Sequence, residues 1–215
     1  MTQSVLAFVR ETKEYQGWGI NILTLGFLLV LATTSCEVWG LGNQIVTLWS
    51  PETVSARGVS ISMKLIVAIY YFATFNRGRT GGNLGLTIAG GVVALMHLPL
   101  IVGLWQVAGF QWWEWSFALV SVSSIILAFQ PRWQDSVFKV ISTVIAGVLL
   151  LQPLEMYLKH TAVGLNPWDP AGFFVSCMVW TLYGAYIRDK TVAGFSILYG
   201  CIYATTLAFW WTFTH

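Results

Sequence analysis

The chain has 215 residues, of which 56% are hydrophobic and only 9% charged, where an ordinary soluble domain carries roughly 25% charged residues. That balance excludes a soluble globular fold, and a net charge of +2 gives no electrostatic footing for nucleic-acid binding. Twelve Trp, many near the ends of apolar runs, match the aromatic belts of membrane–water interfaces. The composition is that of a polytopic membrane protein.

The opening MTQSVLAFVRETKEY reads as a short amphipathic helix on the membrane surface, with Val5, Leu6, Phe8 and Val9 on one side. A frayed terminus is the alternative. Arg10, Glu11, Lys13 and Glu14 interrupt it, and neither an apolar core nor a cleavage site marks a secretory leader. A spanning helix needs about 20 apolar residues, and seven stretches are candidates. They cover residues 18–45, 61–75, 82–105, 112–129, 138–157, 172–187 and 192–213. Gly85, Gly90 and Gly91 in the third suit close helix packing. Cys36, Cys177 and Cys201 sit within apolar runs, without metal spacing or a disulfide framework.

Lys and Arg sort unevenly between the connections. Arg10, Lys13, Arg77, Arg79, Arg132, Lys139, Arg188 and Lys190 collect on one side, with Arg57, Lys159 and Lys64 on the other. The asymmetry predicts a cytoplasmic N-terminus and an external His215; the membrane expected is the cell (inner) membrane.

Spans one to three can be laid over spans five to seven, leaving the fourth as a connector. Asn43-Gln44 falls on Gln152-Pro153, Gly58-Val59-Ser60 on Gly164-Leu165-Asn166, Tyr71 on Tyr183, and Asn83 on Ser196. A single connector returns the second triplet to the orientation of the first, a parallel repeat about the membrane normal. The organisation expected is a segment at 1–17, a triple-helix repeat at 18–107, a linker helix at 110–131 and a second repeat at 137–213.

On these residues, with T-x-V-G-L, W-x-x-Y-G and R-D following in order in the second half, the chain resembles the SWEET and PQ-loop superfamily of sugar and small-solute transporters. The resemblance implies an all-α, seven-helix 3+1+3 transmembrane fold with a solute cavity between the triplets. It carries Trp180 over as a flat platform for a sugar face; simple packing is the competing reading, and its first-half counterpart is Ala68. It carries Asn83 over as the solute-binding amide, with helix capping as the competitor. Ser196, Tyr71 and Tyr183 complete the implied substrate site. Pro153 with Gln152, Gln44 and Pro167 are the implied hinge positions.

Charged groups within apolar stretches need a partner or a water-filled site. Glu37 and Lys64, on neighbouring spans, are a candidate intramembrane charge pair, with a proton-coupling role as the lesser alternative. Glu155 either lies over the kink at Pro153 or snorkels. His97 admits a proton relay, but a neutral packing histidine is the reading expected. No H-E-x-x-H, G-x-S-x-G or Walker pattern appears and the last span has no lysine, so neither an enzyme nor a retinal protein is expected.

The sequence therefore points to a facilitative transporter of a small polar solute, a sugar or similar metabolite, working by alternating access without cofactor or metal. Its partners are the lipid bilayer and the solute, with a homo-oligomer or a larger membrane complex as the assembly. The rival is a non-transporting receptor or accessory subunit of the same fold. The rival draws on the missing prolines of the first two spans and on serine, not asparagine, at Ser196.

Overall fold

The computed structural model describes residues 2–49, 61–108, 112–161 and 167–214. Among them are nine helices and no strand: α1 (Thr2–Glu11), α2 (Lys13–Gln16), α3 (Ile22–Trp49), α4 (Ile61–Gly81), α5 (Leu84–Ala108), α6 (Trp112–Ala128), α7 (Gln134–Lys159), α8 (Trp168–Tyr186) and α9 (Lys190–Thr214). Each expected span falls on one of the seven helices α3 to α9. Four of these, α3, α5, α7 and α9, are long and apolar enough to cross a membrane. The protein is a multi-pass membrane protein. The turns Gly58-Val59-Ser60 and Gly164-Leu165-Asn166, with Arg57 and His215, lie outside the described residues.

Helix α4 runs past the expected end at Phe75 to Gly81. The polar residues there do not break it, because each finds a partner. Asn76 is fully buried and donates to the carbonyl of Ala128 at the end of α6. Arg79 returns to Asn76 Oδ1 at 3.1 Å, and Thr80 accepts from Gln134. Arg77 pairs with Asp135 and lies over the Phe138 ring, 5.1 Å from its centroid. Such satisfied groups are the condition for polar residues at a buried helix end.

The helices divide into two compact units, Met1–Gly17 with Leu31–Ile141, and Trp18–Val30 with Ser142–His215. The first has its core where α3, α4 and α5 meet, with Leu41, Val93, Leu100 and Leu104 buried and Val38, Ile45, Leu65 and Met96 packed against them. Glycines allow α4 and α5 to approach this closely. A Cβ on Gly90 would overlap the backbone of Phe75, and one on Gly78 would overlap the backbone of Thr87. The second unit repeats the device at Gly184, where a Cβ would come 2.8 Å from the Ala193 nitrogen. There Tyr183 is buried beside Gly26, and Tyr199 donates to the Ser142 carbonyl at 2.8 Å.

Candidate functional site

The first unit carries a polar cluster near the middle of α3, α4 and α5. Tyr71 donates its hydroxyl to Glu37 Oε2 at 2.9 Å, and its ring stacks on His97 at 5.8 Å between centroids. Glu37, Tyr71 and His97 belong to α3, α4 and α5, each within about one turn of the middle of its helix. His97 is buried, and its Nδ1 lies 2.8 Å from the carbonyl of Val93. A carbonyl only accepts, so Nδ1 carries a proton there.

Lys64 and Glu37 do not form the candidate charge pair. Lys64 donates instead to Gln44 Oε1 at 3.1 Å. The physical reason is register. Glu37 to Gln44 and Lys64 to Tyr71 are both heptad steps, two turns or about 10 Å, so antiparallel helices pair Glu37 with Tyr71 and Gln44 with Lys64. That equal spacing was available in the sequence. Gln44, expected at a hinge, is thereby the partner of a cation.

The turns of the α4–α5 and α8–α9 hairpins share one backbone geometry. Asn83 donates its backbone N–H to Gly78 at 2.9 Å, and Asp189 donates its own to Gly184 at 2.8 Å. Thr87 N–H then reaches the Asn83 carbonyl at 3.1 Å, as Ala193 N–H reaches that of Asp189 at 3.0 Å. Gly82 and Arg188, one residue earlier, are both left-handed, with φ of 62° and 59°. One constant shift along the chain makes all these matches, and it pairs Asn83 with Asp189, Ser196 with Gly90, and Trp180 with Thr74. The sequence pairings of Asn83 with Ser196 and Trp180 with Ala68 are displaced by about two turns.

Asn83 thus sits immediately before α5, at its N-cap. Its Oδ1 is buried and meets no hydrogen-bond partner among the described residues. The cap comes from elsewhere: Glu14 of α2, 1% exposed, accepts from Gly85 N–H at 3.1 Å. Lys13 N–H meets the Gly82 carbonyl at 3.1 Å, so the segment before α3 is docked on this turn. Nothing in the sequence pattern marked Glu14 as buried, since its partner lies far along the chain. Asp189 caps α9 with its own side chain, accepting from Thr191 and Val192, each at 3.1 Å.

In the second unit, Trp180 meets Tyr183 edge to face at 5.9 Å. Ser196 is buried and lines a groove of about 310 Å³ between α8 and α9, with Phe174, Cys177, Thr181, Gly200 and Cys201. Thr181 Oγ1 donates to the Cys177 carbonyl at 2.7 Å. The places of Tyr71 and Phe75 in the first hairpin are taken here by Cys177 and Thr181, both of which line the groove. Pro153 lies inside α7, buried, with Gln152 exposed beside it. Pro167 precedes α8 in a helical conformation without a side-chain cap. Glu155 is exposed and paired with Lys159 one turn on.

No protein-family model matches the sequence, and no curated protein does. Among solved structures, the chain is similar to a eukaryotic SWEET transporter, at a TM-score of 0.60 and 18% identity. The similarity covers 90% of this chain and 95% of that one. The fold is therefore SWEET-like.

Proposed function

We propose that this protein carries a small polar solute, a sugar or similar metabolite, across the cell (inner) membrane by alternating access. In this reading α3 to α5 and α7 to α9 are the two triplets, α6 is the linker, and the N-terminus is cytoplasmic. The observation that carries the proposal is a SWEET-like fold with a polar cluster, Glu37, Tyr71 and His97, at mid-helix depth. Membrane transporters hold solute and coupling ions near the bilayer midplane, and polar groups are costly there without a use. Trp180, Tyr183 and Ser196 are the solute-facing groups assigned to the second unit, with Tyr71 in the first. Pro153 is the assigned hinge, since an interior proline removes a ladder bond. Asn83 is assigned to the α5 turn.

The rival reading, a non-transporting receptor or accessory subunit, is favoured by the groove beside Ser196, whose lining is almost wholly carbon and sulfur. Uptake into reconstituted vesicles separates the two. Sugars, amino acids and vitamin-like solutes are each presented to the intact protein and to Trp180→Ala. The transporter reading expects one class to enter, and the variant to lose about tenfold in rate, equivalent to ~1.4 kcal/mol. If none enters, the subunit reading stands.

A further inference from the structure

The end of α4 and the turn between α6 and α7 form a basic corner of the first unit. Residues 76–81 and 128–139 hold four cations, Arg77, Arg79, Arg132 and Lys139, and one carboxylate, Asp135. Arg77 and Lys139 both pair with Asp135. Arg79 and Arg132 pair with no carboxylate among the described residues. Arg79 is held instead by a neutral group, donating to Asn76 Oδ1 at 3.1 Å, and it lies over the Phe129 ring, 5.8 Å from the centroid. Arg132 lies over the Trp133 ring at 5.5 Å. An amide fixes a cation without cancelling its charge. A guanidinium set over a ring engages the ring with its face and keeps in-plane N–H groups for anionic oxygens.

The backbone carrying both arginines is fixed. Buried Asn76 donates to the Ala128 carbonyl, and buried Gln134 donates to Thr80 at 2.7 Å. A ligand therefore meets a turn already ordered, which lowers the entropy cost of binding. Trp133 immediately precedes α7, which is long and apolar enough to span a membrane. Trp133 and Phe129 are both exposed, as aromatic rings at headgroup level are.

We propose that this corner binds the phosphate of an anionic lipid headgroup, with Arg79 and Arg132 donating to it. Phe129 and Trp133 set the depth, and Arg77 and Lys139 add to the positive field. A zwitterionic lipid fits less well, because it brings a cation of its own to two arginines whose charge is not cancelled. A soluble anion fits less well, because the rings hold the corner in the layer where lipid phosphates lie. The inference needs only the membrane setting and does not rest on the transport reading.

The full-length protein in detergent micelles is titrated with phosphatidylglycerol and phosphatidylcholine of the same acyl chains, and retained lipid is read by native mass spectrometry. Phosphatidylglycerol is expected to be preferred. Its affinity should fall about fivefold in Arg132→Gln and about 25-fold when Arg79→Gln is added. Arg132 lies on an exposed turn, so its single variant carries the test if the double variant fails to fold. Arg188→Gln with Lys190→Gln removes equal charge from the α8–α9 turn and should leave the affinity unchanged. Equal losses from the two pairs overturn the site in favour of general charge attraction. Equal retention of both lipids by the intact protein overturns it and leaves the corner to an acidic protein segment. Displacement of the lipid by inorganic phosphate at the same concentration overturns it in favour of a soluble anion.

Discussion

The hairpins α4–α5 and α8–α9 reach one backbone geometry by different side-chain means. Both close on a left-handed residue, Gly82 or Arg188, followed by a residue whose N–H returns to a glycine carbonyl. The first hairpin puts glycine at every tight place and takes its cap from Glu14, outside the hairpin. The second holds its left-handed position with arginine, replaces Gly90 by Ser196, and caps itself through Asp189. The first packs more closely but depends on the segment before α3; the second is self-contained. The two hairpins thus share a turn geometry but not the side chains at the matched places.

The largest expected effect breaks the match at its tightest place. Gly90→Ala puts a Cβ against the Phe75 backbone, and backbone cannot retreat as a side chain can. A loss near the upper end of the usual overpacking cost, about 3 kcal/mol, is expected. Ser196→Ala, at the matched place on α9, is expected to stay within about 0.5 kcal/mol. Thermal unfolding of the two variants in the same detergent measures the difference. Equal melting points would mean that α4 and α5 are not held apart by that methyl.

This contrast explains what the sequence made legible. Seven apolar runs and their order could be read because hydrocarbon demands long stretches without charge. The bounds of α4 could not, because Asn76 and Arg77 are kept helical by Ala128 and Asp135, far along the chain. Likewise the family resemblance implied a solute amide or a helix cap at Asn83, while the turn geometry makes it the counterpart of Asp189. Glu37 and Lys64 were recognised as costly charges, but the partner of each is set by helix register. Local pattern carries the elements; long-range pairing carries the site.

A second, smaller effect separates the borrowed cap from the built-in one. Glu14→Ala removes the acceptor for Gly85 N–H, and Asp189→Ala removes that for Thr191 and Val192. Each is expected to cost about 1–2 kcal/mol. Hydrogen exchange read by mass spectrometry distinguishes them. Glu14→Ala should speed exchange in the first turn of α5 and leave α9 unchanged, and Asp189→Ala should do the reverse. Loss of protection in both hairpins from either change would show that the caps are not local.

The smallest effect tests the left-handed residues. A side chain in that region costs about 1–2 kcal/mol, which glycine avoids. Glycine gives back roughly 0.5–1 kcal/mol through the freedom of the unfolded chain. Arg188→Gly should therefore stabilise by no more than about 1 kcal/mol, and Gly82→Ala should destabilise by a similar amount. Paired melting curves resolve the signs even where the sizes are small. If Arg188→Gly lowers the melting temperature, the arginine contributes more by its side chain than its backbone costs. The two turns would then differ in what stabilises them, and not only in which residue fills the same place.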